Sequence, residues 1–153
     1  MEKNTFEIGL VMAGAVSAGA YTGGVIDFLL QALSEWDQAK KSGSDEAPPH
    51  KVQLKVVTGA SAGGMTAAML AAMVNESFTN ITCLPGREPT QEEINQNKLY
   101  NAWVDQVDIS KLLQANDLKK SESRVTSLLD STALDDIADA TIRFDANGTR
   151  PDY

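Results

Sequence analysis

Apolar and polar positions change period several times along the chain, and each change marks an element. Residues 6–13, Phe-Glu-Ile-Gly-Leu-Val-Met-Ala, form a short apolar run of the buried-strand type. Small residues at 14–19 predict a tight turn. From about 18 to 41, Tyr21, Val25, Leu29, Leu33 and Trp36 recur every three or four residues. That period predicts a helix with these side chains on its apolar face, closed by Lys40, Lys41 and Gly43. A polar linker containing Pro48-Pro49 fills 43–50. Residues 51–58 alternate, with Val52, Leu54 and Val56 on one face, and predict a second strand. A helix of small residues and methionines follows to about 75. Strand, helix, strand over this length predicts a parallel pair with a right-handed crossover. Both strand-to-helix turns then open at the carboxyl edge of the sheet, where ligands bind in open α/β sheets.

The second half is more helical. Residues 76–89 read as an irregular loop. Thr90-Gln91-Glu92-Glu93 is a capping box, predicting a helix to about 106 that carries Leu99, Tyr100, Trp103 and Val104, with Val107 just beyond it. A shorter helix is expected over 108–115, and 116–124 is polar. After a short apolar piece at 125–130, Ser131 or Thr132 caps a last helix bearing Leu134, Ile137, Ala138 and Ile142. Residues 145–153 form a turn-rich tail. Two parallel strands do not make a stable open sheet. Residues 1–153 are therefore expected to be the N-terminal part of a single larger domain.

Charge and composition narrow the function. A net charge of −8 argues against a nucleic-acid partner and against polybasic attachment to anionic lipid. One cysteine, Cys83, excludes an intrachain disulfide, and one histidine, His50, excludes a multi-histidine metal site within the chain. No cofactor is expected. Residues 8–20 are apolar and small like a signal peptide, but the preceding segment carries Glu2, Lys3 and Glu7 and is not basic. The run is also too short and glycine-rich to span a membrane. A cytoplasmic location is expected, with peripheral membrane contact at most. The sequons at Asn75, Asn80 and Asn147 then carry little weight.

Gly59-Ala60-Ser61-Ala62-Gly63 is the chemical centre of the chain. Its G-x-S-x-G pattern joins a strand to a helix, as in a nucleophile elbow. A serine there sits on a strained turn with strand and helix passing close beside it, so its neighbours must be small. The helix beginning near Ala62 directs its free N–H groups toward an anion formed at the serine. The first turn lies beside it by topology, so Gly14, Ala15 and Val16, with Ala62, are the expected oxyanion donors. The base is missing. His50 precedes the second strand, and eight extended residues span roughly 25 Å, so it does not reach Ser61. Asp105, Asp108, Asp130, Asp135 and Asp136 read as caps or solvated helix faces. Met65, Met69 and Met73 form a stripe down the elbow helix, either core packing or the wall of an acyl-chain pocket.

These turns resemble those of the patatin-like phospholipases. Residues 10–21 match the family's first strand and G-G-G-x-[R/K]-G turn, Gly24-Val25-Ile26 matches the Gly-Val-Leu that follows, and 58–64 matches its elbow closely. Residues 127–134 are more loosely similar to a segment before a later helix. Ala15 and Val16 replace two of the family's glycines, and Ala18 replaces its basic residue. The resemblance implies a three-layer α/β fold with a mostly parallel sheet, incomplete in this chain. It also implies a lipid acyl hydrolase, of phospholipase A or carboxylic-ester type, working through an acyl-enzyme. The base would be an aspartate in an Asp-Gly-Gly or Asp-Gly-Ala element, which is absent from 1–153; the isolated segment is then expected to be inactive. A second reading is a non-catalytic lipid-binding or scaffold domain with a degenerate oxyanion turn. A third is a nucleotide-binding oxidoreductase, since 57–64 also resembles the glycine turn of short-chain dehydrogenases. Against the third, the turn follows the second strand and no Tyr-x-x-x-Lys occurs.

Overall fold

The computed structural model describes residues 5–15, 19–74, 76, 79–81, 87–115, 118 and 129–142. The expected polar stretch at 116–124 except 118, the apolar piece at 125–130 except 129 and 130, and the tail at 145–153 lie outside them, as does Cys83. Two strands, β1 (Thr5–Met12) and β2 (Lys51–Gly59), pair in parallel, and helix α1 (Ala20–Lys41) connects them. Helix α2 (Ala62–Met73) leaves β2 directly. This is the α/β arrangement predicted from the periods.

The ends of α1 follow from its sequence. Lys40 and Lys41 occupy the last turn, and Gly43 turns the chain at φ +75°, where a side chain would be strained. Its packed face differs from the predicted stripe. Gly23, Ile26, Asp27, Leu30 and Leu33 are buried, whereas Tyr21 is 85 % exposed and Val25 49 %. Apolar side chains surround much of α1, and packing selected the side where Gly23 admits close neighbours: a Cβ there would already lie 3.3 Å from Trp103 Cδ1.

The second strand also departs from simple alternation. Pairing runs Ile8 with Leu54 and then Gly9 with Val56, so Lys55 is an extra residue in β2. One inserted residue reverses every side chain beyond it. Val57 therefore packs against the core and Val56 is 54 % exposed, against the expectation that Val52, Leu54 and Val56 share a face.

Helix α2 is the centre of the core. Met69, Leu70 and Met73 are almost fully enclosed, each contributing roughly 1.5–3 kcal/mol by burial, and Met65 packs against their cluster. The methionine stripe is thus core packing. The capping box forms as predicted: Thr90 Oγ1 accepts from Glu93 N, and Glu93 Oε2 accepts from Thr90 N at 2.8 Å. The single helix expected after it is divided into α3 (Gln91–Gln96), α4 (Lys98–Tyr100) and a π-helical turn, Asn101–Gln106. Asn97 makes the break. Its buried amide donates to Asp27 Oδ1 (2.7 Å) and to the Thr79 carbonyl (2.9 Å), while its Oδ1 accepts from Tyr100 N and restarts the helix. Helix α5 (Ile109–Leu112) is capped by Asp108. Helix α6 (Thr132–Ile142) packs against α2 through Ile137; its first N–H, from Thr132, goes to Asp130 rather than to a Ser131 or Thr132 side chain.

Candidate active site

Backbone contacts bring the two turns together. The chain leaves β2 at Gly59 and enters α2 at Ala62, so it reverses within two residues. A Cβ on Gly59 would lie 2.3 Å from the Gly63 carbonyl carbon. A Cβ on Gly63 would lie 2.4 Å from the Met12 carbonyl oxygen and 2.7 Å from that of Ala13. Both glycines are there because backbone occupies the space a side chain needs. The Ala60 N–H donates to the Met12 carbonyl at 3.1 Å, fixing the end of β1 to the turn.

At the apex, Ser61 has φ +51° and ψ −124°. Among the described residues it is the one non-glycine with positive φ. This is strained backbone for an L-residue, and it persists because the surrounding contacts leave no alternative. The hydroxyl stands at the exposed end of the turn, at the start of α2. Gly14 lies directly beside it. A Cβ on Gly14 would be 3.1 Å from Ser61 Cβ and 3.8 Å from its Oγ. Ala15 follows on the same exposed turn, and Val16 lies outside the described residues. The arrangement thus gathers Ser61, Gly14 and the first residue of α2, Ala62, at one sheet edge.

His50 sits at the other end. It precedes β2, its ring packs edge-on against Trp36 at 4.7 Å, and its carbonyl accepts from Lys40 Nζ. The candidate carboxylates act as caps or stand on exposed helix faces. Asp108 accepts from Ser110 N at 2.8 Å, a bond that holds its carboxyl below the usual carboxylate range. Asp130 is buried and accepts from Thr132 N. Asp105, Asp135 and Asp136 are exposed on helical turns.

The family model for patatin-like phospholipases matches residues 10–150. The chain belongs to the patatin-like phospholipase family. It is 45 % identical over 106 residues to uncharacterized protein y4iI of Sinorhizobium fredii (strain NBRC 101917 / NGR234). That match covers 67 % of this chain and 15 % of the relative, so the chain spans less than a sixth of the relative's length. No solved structure matches the chain at a significant level. Family membership removes the dehydrogenase reading of 57–64.

Two further features of the structure were not legible in the sequence. Asp27, on α1, accepts from Asn80 Nδ2, Asn97 Nδ2 and Ile81 N at 2.7–3.0 Å, tying residues 80 and 81 and the start of α4 to that helix. It borders a groove of about 390 Å³ between α1 and residues 97–104, lined also by Gly24, Phe28 and Tyr100. Trp103 and Thr66 meet beneath the end of the first turn, at Gly19. Asparagines in a polar stretch and a tryptophan on an apolar helix face carry no pattern that would single them out. No helix among the described residues is long and apolar enough to cross a membrane.

Proposed function

We propose that this chain forms the N-terminal part of a lipid acyl hydrolase in which Ser61 is the nucleophile. The observation that carries the reading is Ser61 at φ +51° on a strand-to-helix turn, with Gly14 of the neighbouring turn against it. In this reaction Ser61 Oγ attacks the ester carbonyl carbon, and its proton passes to a base. The tetrahedral oxyanion accepts from backbone N–H groups of Gly14, Ala15, Val16 and Ala62. Collapse expels the alcohol or lysolipid and leaves an acyl-serine, which water hydrolyses by the same route. The base is an aspartate outside residues 1–153, on a segment that completes the sheet. Exposed Tyr21 and Phe28, in the first half of α1, add apolar surface suited to contact with a lipid aggregate.

The second reading, a non-catalytic lipid-binding or scaffold domain, has one observation in its favour: Ala18 supplies no cation to the first turn. A fluorophosphonate probe on the full-length protein separates the two. Adduct at Ser61, lost in Ser61→Ala together with a fall in ester turnover of at least about 10³-fold, is the expected result. Absence of an adduct favours the second reading. Appreciable Ser61-dependent turnover by residues 1–153 alone would defeat the assignment of the base to a further segment.

A further inference from the structure

Gly19 ends the first turn and is buried where three elements meet. A Cβ there would lie 2.5 Å from Trp103 Cε2, 2.6 Å from Trp103 Nε1 and 2.8 Å from Thr66 Oγ1. The indole N–H donates to Thr66 Oγ1 at 3.0 Å, and the same hydroxyl donates to the Ala62 carbonyl at 2.8 Å. Trp103 is 5 % exposed and Thr66 fully enclosed. An indole nitrogen only donates, and the hydroxyl proton is committed to Ala62, so the chain has one direction: Trp103, Thr66, Ala62. Ala62 is the residue after Ser61. The π-helical turn Asn101–Gln106 carries Trp103, and π turns are frequent at functional sites.

We infer that Trp103 and Thr66 are positioning residues that hold Gly19, the end of the first turn, at a fixed separation from the start of α2, and so align the N–H groups of Gly14 and Ala62 with Ser61. The inference rests on the hydrolase reading above. The first turn is seated at both described ends, by Ser61 against Gly14 and by the Trp103–Thr66 pair against Gly19. Packing alone does not call for a polar pair there. Replacing two buried hydrogen-bonded partners by apolar groups of the same shape is close to neutral for stability. What the pair adds is a fixed orientation, and misplacement of reacting groups by about 1 Å costs on the order of 10²-fold in rate.

The test uses the full-length protein and the double variant Thr66→Val/Trp103→Phe, which removes both polar partners and leaves neither stranded. Four measurements are compared with the parent: the urea midpoint, the rate of fluorophosphonate labelling at Ser61, kcat and KM for ester hydrolysis, and hydrogen exchange in segments 13–15 and 60–64. The expected result is a midpoint lowered only by the smaller ring of Trp103→Phe, labelling and kcat lowered about 10- to 100-fold beyond what the unfolded fraction accounts for, with KM within about twofold, and faster exchange in both segments. Thr66→Ser, which keeps the hydroxyl, should recover most of the rate lost in Thr66→Val. Labelling at the parental rate overturns the inference. So does a rate loss that merely follows the unfolded fraction or is not recovered by Thr66→Ser. If the parent protein itself takes no label, the hydrolase reading fails by itself. Exchange then decides the positioning role: faster exchange in both segments upholds it, and parental exchange overturns it.

Discussion

Ser61, Gly59 and Gly63 show how far a local sequence pattern reaches. The elbow was legible because its requirement is steric and short-range: a chain that reverses within two residues excludes side chains from the crossing. The structure adds the partner in that crossing. Gly63 is pressed against the end of β1 as well as against Gly59, so it serves two contacts. Gly63→Ala should therefore destabilise the protein by about 3 kcal/mol through overpacking against backbone that cannot rotate away. Gly24→Ala is the control, because a Cβ there meets nothing within 4 Å. Thermal unfolding of the two variants checks the difference, and equal midpoints would contradict the geometry. The contact between Gly14 and Ser61 was inferable from parallel topology, but the meeting of Gly19, Thr66 and Trp103 was not. Those residues are 37 to 84 positions apart, and neither Thr66 nor Trp103 belongs to a motif.

Element boundaries set by caps were readable, and those set by tertiary contacts were not. Thr90 and Glu93 open α3 as their spacing predicts. Glu93 also meets Arg87 Nη2 at 2.6 Å, and that bond, with those from Thr90, lowers its pKa from 4.5 to about 2. A depressed carboxylate pKa adds stability that is present above the ordinary value and lost as pH falls through the folded one. Local stabilisation of α3 should thus fade between pH 4.5 and about 2. Arg87→Ala should raise the Glu93 midpoint toward the ordinary value, read from its carboxyl carbon shift in an NMR titration; an unmoved midpoint would show that Thr90 alone holds it down. The helix that starts here was expected to continue to about 106, since its apolar period continues. It stops at Asn97 because that side chain turns inward to Asp27, a partner 70 residues away. The extra residue at Lys55 escaped notice for a similar reason. Alternation in β2 looks regular until β1 fixes its register.

Across the whole molecule, one polar cluster joins segments that the sequence separates. Asp27 is 8 % exposed and receives N–H groups from Asn80, Ile81 and Asn97. Asp27→Ala would leave these donors without their acceptor and should cost about 3 kcal/mol, measured as a lower urea midpoint. Exchange at Ile81 N should quicken in the same variant; an unchanged midpoint would mean that water replaces the carboxylate. The sheet shows a different imbalance. Val11, 86 % exposed, and Val56 stand on its uncovered side, consistent with our proposal that a further segment completes the domain. The sequence by itself determined the order of strands and helices, the parallel pairing, the serine turn and the capped starts of α3 and α5. These depend on backbone sterics and on side chains a few residues apart. Tertiary structure alone decided which face of α1 is buried, where the helix after Thr90 breaks, and what holds the two turns beside Ser61. Those outcomes depend on which distant groups compete for the same space and the same hydrogen bonds, and a one-dimensional period does not contain that competition.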